Sequence, residues 1–476
     1  MKSMEQSYPL TPFPGDVGLA SPAKPWVTIY RMLGMVLLLY ILSQFVVLIF
    51  IGLLDSDFDG LIGPSDPLMA IFGSLCSLPL IALVIYMTRP KLTHVLRALP
   101  HHQGQYNHQI AQGRYIQTPS PTVFQHHLVM RDVPLQIPEA KVLWISFFSG
   151  VIICAIGLFP LILGFNPISI VLALIVALPA WIIGFSTPVF AWWGFSSRHL
   201  GIVTTQREGE MMLIAGMLST FPALLINSIL FPSMLYEIVG MNPSVDSILV
   251  QNLTIVVSAP VGEELCKLVA ILCLWKLIDS PRRGFQIGFT VGLGFAMLEN
   301  LQYILVSLLT DQYAAFSYSF TTILRGVGSI PGHALWTGLT GYAVGWYAYR
   351  TKKSNSFNPM GVEQNVQNWI TFDSKTGQQI RSAGDGSIPS SRLARFILGN
   401  SNSIRQLPTS ITGGVCLAII GHMFWNGSSF IVSFALSGVD EMFQVLGQLF
   451  WIGNMVVLLW IAGKIILQTA IKSPTK

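Results

Sequence analysis

The sequence predicts an all-α, polytopic bundle of about ten transmembrane helices with both termini in the cytoplasm. Only 10% of the 476 residues are Asp, Glu, Lys or Arg, against roughly a quarter in a soluble domain. The apolar residues come in runs of about 20 or more, the length that crosses the hydrocarbon core of a bilayer. Lys and Arg accumulate in every second loop, as they do on the cytoplasmic side of membrane proteins.

The predicted spans follow a polar N-terminal tail, residues 1–25. The first apolar run, Trp26 to Leu54, is too long for a signal-peptide core and has no small-residue cleavage site, which predicts a retained signal anchor. Apolar runs between charged, Pro or Gly residues place the spans at residues 26–54, 67–88, 142–165, 167–194, 211–236, 246–276, 284–309, 327–349, 411–437 and 442–469.

The charge distribution supports this order of spans. The loops after spans two, four, six and eight are basic, and the intervening loops are mainly acidic. The formal charge of +5 is therefore spread over segment ends and does not form a nucleic-acid-binding patch. All five cysteines lie in apolar runs, so neither a disulfide framework nor a CxxC zinc site is indicated. These patterns predict a multi-pass protein of the cell membrane, with lipid around it.

Two polar insertions, residues 89–140 and 350–410, are too short and too poor in large apolar residues to predict independent domains. In the second, residues 369–372 and 378–380 are predicted to form a hairpin. The first is predicted to be a solvated loop rather than a metal-binding tract, because its histidines lack regular ligand spacing. These histidines are His94, His101, His102, His108, His126 and His127.

Candidate functional residues are concentrated in spans six to nine. Ionisable side chains in mid-bilayer are costly and need a partner or a purpose. At 1.5 Å per helical residue, Glu263, Glu299, His333 and His422 lie about 20 to 26 Å from the nearest cytoplasmic basic residue, which predicts one common layer. They are Glu263, Glu264 and Lys267 on span six, Glu299 with Asn300 on span seven, His333 on span eight, and His422 with Asn426 on span nine.

Spacing within the helices favours convergence on one cavity. Residues four apart share a helix face, as Glu263 and Lys267 do, and as His422 and Asn426 do. Small residues four apart allow close helix packing. Gly284, Gly288 and Gly292 on span seven form such a stripe, and so do Gly341 and Gly345 on span eight.

Some of the polar residues also have a purely structural interpretation. Lys267 is expected to neutralise Glu263 or Glu264, and Arg325 is interpreted as an interfacial anchor. A single buried histidine is usually a satisfied core donor. One lysine, however, does not neutralise three carboxylates, and the sequence therefore predicts a functional set.

The motifs EExxK (Glu263, Glu264, Lys267), FxxxE (Phe295, Glu299) and HxxxN (His422, Asn426) resemble those of the PrsW intramembrane peptidases. Arg325 and His333 fit between them. The resemblance covers roughly residues 245 to 430 and keeps the family's order on successive spans. PrsW proteins are in turn similar to the CAAX prenyl proteases, whose EExxxR, FxxxH and HxxxN motifs have been assigned a glutamate-based, metal-independent mechanism.

The resemblance implies peptide-bond cleavage in a membrane-anchored substrate such as an anti-sigma-factor-like protein. It also implies a role for each catalytic candidate. Glu263 would be the general base, Glu264 would orient it or Lys267, and His422 with Asn426 would stabilise the oxyanion. The chain then divides into an N-terminal transmembrane region (26–240), a peptidase core (241–437) and a final span with tail (438–476).

Glu299 departs from the CAAX pattern, because it stands where that family has histidine. His333 would supply the missing imidazole. Carboxylates that share a dry cavity need a proton or a cation between them. A zinc ion held by Glu263, Glu299, His333 and His422 would satisfy this need. The metal-free interpretation is preferred because the sequence has no HExxH motif.

Two other classes of function compete with a peptidase. A proton-coupled secondary transporter would use the Glu and His side chains as a relay, but it predicts inverted repeats and interrupted helices in both halves of the chain. The polar residues lie only in spans six to nine, and no repeat is visible. A membrane scaffold without enzymatic activity would tolerate Glu263→Gln without loss.

Overall fold

The computed structural model describes residues 25–55, 62–111, 113–130, 132–163, 167–309, 313–355, 371–372, 379–380 and 407–475. Within these residues the structure has ten long helical segments, one for each predicted span, and most of their bounds lie within about five residues of the prediction. They are α1 Pro25–Leu54, α2 Pro67–Thr88, α3 Ala140–Leu158, α4 Pro167–His199, α5 Gln206–Ile238, α6 243–273, α7 Pro281–Leu308, α8 314–355, α9 Ile411–Ala435 and α10 Glu441–Lys472.

Within the described residues, eight helices are long and apolar enough to cross a membrane. The prediction of a multi-pass, all-α membrane bundle is therefore confirmed. The remaining two helical segments, α6 and α8, carry Glu263 and His333. Whether they cross fully, and with them the count of about ten spans and the cytoplasmic position of both termini, stays a prediction.

Helix α8 differs from its prediction at its N-terminal end. The predicted span begins at residue 327, whereas the helix begins at Ala314 and continues through a wider π-turn at Arg325–Ser329. Arg325, expected just outside the span, is therefore part of the helix. The preceding sequence, AAFSYSFTTIL, contains no charged residue, which is consistent with helix formation in an apolar environment.

Besides the π-turn at Met234–Ile238, which ends α5, the described helices contain three π-turns that are each followed by a proline. They lie at Ile226–Leu230 in α5, Thr254–Ser258 in α6 and Arg325–Ser329 in α8. A proline follows two residues after each turn, at Pro232, Pro260 and Pro331. Proline has no N–H to donate, so each of these helices is left with a carbonyl that its own backbone does not satisfy.

Helix α7 is the centre of the bundle. Of its apolar window, 67% is buried inside the protein, against 39% or less in the seven other candidate spans. It packs directly on α8 through the predicted glycine stripes. A Cβ on Gly288 would collide with the carbonyl oxygen of Thr337, and one on Gly292 would collide with that of His333. The close approach expected from the glycines is confirmed, and it sets the position of His333 against α7.

Substituting Gly288 with alanine is therefore expected to destabilise the bundle. The added methyl group meets backbone rather than a movable side chain, so the cost should be at least about 1–3 kcal/mol. Gly34→Ala on α1 is the matched control, because its Cβ would have open space; this change should be neutral or stabilise by roughly 0.5–1 kcal/mol. Thermal unfolding in detergent measures both. Equal melting temperatures for the two variants would contradict the packing argument.

The first insertion forms a long β-hairpin rather than the expected solvated loop. Strands β1 (Leu92–Ala111) and β2 (Arg114–Met130) pair antiparallel from Leu92 opposite Met130 to Ala111 opposite Arg114. Gly113 turns the chain between them with φ of 76°. Pro100 lies where the register shifts, so this proline marks a bulge and does not end the strand.

The second hairpin was predicted correctly as far as it is described. Strands β3 (Thr371–Phe372) and β4 (Gln379–Ile380) pair antiparallel, with Thr371 opposite Ile380. Residues 356–370, 373–378 and 381–406 of that insertion, and residues 1–24 of the predicted N-terminal tail, lie outside the described residues. Two histidines of the first hairpin contact each other across the strands, since His94 Nε2 lies 3.0 Å from His126 Nδ1.

Candidate active site

Four helices bring the predicted polar residues together in the interior of the bundle. Helix α6 contributes Glu263, Glu264 and Lys267, which lie within one helical turn of each other. Helix α7 contributes Glu299, α8 contributes His333, and α9 contributes His422. All but Glu299 are buried, with exposed fractions of 7% or less, and the side chain of Glu299 is 20% exposed. The convergence expected from depth and helix face is observed, and we call these six residues the Glu–His cluster.

Lys267 lies at the centre of the cluster. Its Nζ donates to Glu264 Oε1 at 2.8 Å and to Glu263 Oε2 at 3.3 Å. It also lies 2.8 Å from His333 Nδ1 and 3.9 Å from the centre of the Phe295 ring. The pairing with Glu263 and Glu264 expected from the sequence is therefore present. Because this buried ammonium contacts residues of α6, α7 and α8, it helps to fix the positions of these three helices relative to one another.

His333 lies between Glu263 and Glu299. Its Nδ1 faces Lys267 and lies 3.9 Å from Glu263 Oε2, while its Nε2 lies 3.0 Å from Glu299 Oε2. The same Glu299 oxygen lies 3.3 Å from Arg325. If the Nε2 proton is donated to Glu299, the Nδ1 lone pair is directed toward the cluster centre.

Arg325 has a different role from the interfacial anchor expected from the sequence. Its guanidinium pairs with Glu299, donates to Ser329 Oγ at 3.2 Å and stacks over the ring of Tyr303 at 3.6 Å. Arg325 begins the π-turn of α8 at Arg325–Ser329 and is therefore a helical residue. Its side chain points toward the interior of the protein, where it meets Glu299. Arg325 therefore supplies the second cation that the three carboxylates need.

His422 completes the cluster from α9. Its Nδ1 lies 3.3 Å from Glu264 Oε1, and its Nε2 lies 4.0 Å from Glu263 Oε2. The ring of Trp336 stacks on it with a centroid distance of 4.6 Å and an interplanar angle of 14°. Thr337 fixes the other oxygen of Glu264 with a hydrogen bond of 3.2 Å. Both oxygens of Glu264 are thus engaged, whereas Glu263 faces both histidines.

Asn426 is not brought into the cluster. Its side-chain amide donates to the carbonyl of Ile255 at 3.0 Å, in the π-turn of α6. The N–H of Ala259 bonds to Thr254, and the next residue, Pro260, has no N–H. Ile255 is therefore left without its helical donor, and Asn426 replaces it. Its predicted part in stabilising an oxyanion remains a prediction.

The donors of the cluster fit a divalent metal ion in chemical type. Oxygen or nitrogen atoms of Glu263, His333 and His422 lie within 4.8 Å of one another, and no other such group occurs among the residues that the structure describes. A carboxylate lies against the far nitrogen of each histidine, as around many zinc sites. Ligand atoms on tetrahedral zinc are roughly 3.4 Å apart, so the group would have to contract and the Lys267 ammonium would have to leave.

Three residues beside the cluster were not singled out from the sequence: Trp336, Thr337 and Tyr303. Helical spacing offered a signal for each, since Trp336 and Thr337 follow His333 by three and four residues, and Tyr303 follows Glu299 by four. An aromatic or a threonine at such a spacing is common in apolar helices, and this spacing alone does not distinguish a site residue.

Comparison with known proteins supports the motif assignment. Residues 210–362 match the family described as PrsW family intramembrane metalloprotease. This range contains the cluster residues of α6, α7 and α8, and it ends before His422 and Asn426 on α9. No curated protein and no solved structure matches the chain. Over residues 210–362 the chain is therefore similar to the PrsW family intramembrane metalloproteases, the family that its EExxK and FxxxE motifs resemble.

Proposed function

We propose that this protein hydrolyses peptide bonds of membrane-anchored protein substrates at the Glu–His cluster. The observation that carries the proposal is the arrangement of Glu263, whose Oε2 lies 4.0 Å from His422 Nε2 and 3.9 Å from His333 Nδ1 in a buried site. A carboxylate and two imidazoles around one small space suit the activation of a water molecule. The substrate class would be a single-span protein such as an anti-sigma-factor-like protein.

Glu263 would accept the proton of the attacking water. It is the one cluster glutamate that faces both histidines, since Glu264 is engaged by Lys267, Thr337 and His422. Glu264 would hold the His422 ring so that its Nε2 faces the reacting centre, much as a buried carboxylate orients a catalytic imidazole elsewhere. When the His422 ring carries a proton on both nitrogens, Nδ1–H would donate to Glu264 and Nε2–H to the developing oxyanion.

Lys267 and Arg325 would keep the carboxylates ionised without entering the chemistry. Lys267 contacts Glu263 and Glu264, and Arg325 contacts Glu299. Glu299 in turn fixes the ring of His333 through Nε2. In a medium of low dielectric, such fixed charges act more strongly than in water and need no reorganisation during the reaction. Burial of the cluster would therefore strengthen the fixed charges that stabilise the reaction. It also makes these ion pairs necessary.

If a divalent metal ion binds, Glu263, His333 and His422 would hold it. The ion would supply a Lewis acid and a more acidic bound water. Glu264 would orient His422, and Glu299 would orient His333, as they do in the arrangement described above. Lys267, which lies 2.8 Å from His333 Nδ1, would have to move away from that nitrogen.

Metal dependence provides a direct test of these two forms of the site. Because the Lys267 ammonium engages His333 Nδ1, we expect the purified full-length protein to cleave a single-span substrate at an unchanged rate after treatment with a chelator. Cleavage in proteoliposomes and elemental analysis of the same sample measure this. Loss of activity on chelation, and its recovery with Zn²⁺, would contradict the metal-free form and assign Glu263, His333 and His422 as ligands.

The proposal as a whole is tested by the presence of cleavage itself. Candidate single-span substrates should be cut within or beside their apolar segment by the wild-type protein. Inhibitors that modify catalytic serine or cysteine should leave the rate unchanged, because no such nucleophile lies in the Glu–His cluster of the described structure. Absence of cleavage together with substrate-independent proton flux across the membrane would instead favour the transporter.

A further inference from the structure

A cavity lies away from the Glu–His cluster. Its volume is about 360 Å³, and it is formed by the N-terminal part of α1, the end of α2 and the start of α5, with residues on either side of the first β-hairpin. Cavities of this size hold small ligands or lipid headgroups. None of the cluster residues lines it, so it is a separate feature of the molecule.

The cavity is lined by an excess of basic side chains. Four of them, Arg31, Arg89, Lys91 and Arg207, face two acidic residues, Asp132 and Glu210, which leaves a formal excess of two positive charges. These four basic residues come from three helices and their flanking loops, and only the fold brings them together.

The two carboxylates in this lining are engaged by the protein itself. Glu210 lies 3.0 Å from Arg31 and accepts a 2.6 Å hydrogen bond from Gln206. Asp132 accepts from the backbone N–H groups of Val133 and Arg207, at 2.9 and 3.3 Å. Their charges therefore orient Arg31 and the start of α5, and the lining as a whole keeps its formal excess of positive charge.

Aromatic residues place the cavity at the level of the lipid headgroups. Trp26 and Tyr30 on α1 and Tyr86 on α2 are 45%, 65% and 58% exposed, and such residues concentrate at the membrane interface. The Arg89 guanidinium stacks over the ring of Tyr86 at 4.1 Å. The lining also includes the buried, apolar Met32 and Met35. A ligand in this cavity therefore meets both basic and apolar side chains.

We propose that this cavity binds the phosphate-bearing headgroup of an anionic phospholipid. The basic rim would hold the phosphate, and Met32 and Met35 would contact the part of the lipid where the glycerol joins the acyl chains. Basic pockets between transmembrane helices on the cytoplasmic side recognise anionic headgroups in this way. Arg89 and Lys91 belong to one of the basic loops predicted on the cytoplasmic side, where anionic lipid is enriched. The site is independent of the proposed peptidase chemistry.

The test compares lipid binding by two variants of equal charge. The full-length protein is reconstituted in nanodiscs of phosphatidylcholine that contain a small fraction of spin-labelled phosphatidylglycerol, and its affinity for that lipid is measured. Arg89→Gln/Lys91→Gln removes two charges from the cavity rim. Arg97→Gln/Arg114→Gln removes two charges from the hairpin, at residues that do not line the cavity. Arg207→Gln is a third variant, in case the first fails to fold.

The rim variant is expected to bind phosphatidylglycerol about ten- to thirty-fold more weakly, since each basic residue near the surface contributes about 1 kcal/mol. Arg207→Gln should give an intermediate loss, and the hairpin variant should bind as wild type does. Equal losses in the rim and hairpin variants would reduce the effect to general surface charge and overturn the site. Displacement of the lipid by millimolar inorganic phosphate would overturn the lipid as the source of the anion.

Discussion

Replacing Glu263 with glutamine is expected to lower the rate of substrate cleavage by at least about a hundredfold. Glutamine keeps the volume of the side chain and most of its hydrogen bonding, but it cannot accept a proton, and general base catalysis typically contributes 10²- to 10⁴-fold. The loss should appear in kcat and leave the melting temperature close to the wild-type value. Single-turnover cleavage in proteoliposomes and thermal unfolding in detergent measure the two quantities on the same preparation.

Glu237→Gln is the matched control for this change. Glu237 lies exposed in the last turn of α5, outside the cluster, so its neutralisation should leave both the rate and the melting temperature unchanged. Wild-type cleavage by Glu263→Gln would remove the glutamate mechanism. Together with proton transport, that result would make the transporter the better interpretation, and without any activity it would leave a scaffold.

Substituting Lys267 with methionine is expected to reduce stability as well as activity. The change keeps a long side chain but leaves two buried carboxylates and His333 without their shared partner. Removal of one partner from a buried ion pair costs about 3–5 kcal/mol, which should lower both the yield of folded protein and its melting temperature. This effect distinguishes Lys267 from Glu263, whose replacement should affect the rate alone.

Two further variants test the cause of this loss. Lys276→Met removes an exposed lysine beyond the end of the same helix and should have little effect. The double variant Lys267→Met/Glu264→Gln removes the lysine together with the charge it contacts most closely, at 2.8 Å. It should therefore recover part of the lost melting temperature. If the double variant is less stable than Lys267→Met alone, the buried charge is not what destabilises the single variant.

The membrane helices were predictable because the bilayer imposes a length and a composition on each of them. The bounds of α2, for example, agree with the prediction at both ends, residues 67 and 88. The β-hairpin at residues 92–130 was not predicted, because Pro100 and the polar residues near the turn mask the alternating pattern on which strands are recognised. The same difficulty does not arise within a span, where a helix is the only local structure that satisfies its own backbone.

Part of the candidate site was predictable, because an ionisable side chain in an apolar helix is energetically costly and therefore indicates a function. Glu263, Glu299, His333 and His422 stood out because each is expensive in an apolar helix, and the structure brings all four together. Arg325 and Asn426 were placed differently from expectation, because both depend on π-turns. One carries Arg325 within α8, and the other exposes the Ile255 carbonyl that Asn426 contacts. A uniform rise of 1.5 Å per residue does not reveal such turns.

The ion pairs of the Glu–His cluster have a consequence for its charge balance. Three ionised carboxylates opposite the cations of Lys267 and Arg325, with neutral histidines, leave a net charge of minus one. Such an imbalance is costly away from water. Uptake of a single proton neutralises the set, and exchange of the Lys267 ammonium for a dication changes the sum by the same single unit. A proton taken from a water molecule in the site would thus neutralise the set of side chains, while the negative charge passes to the hydroxide that attacks the substrate.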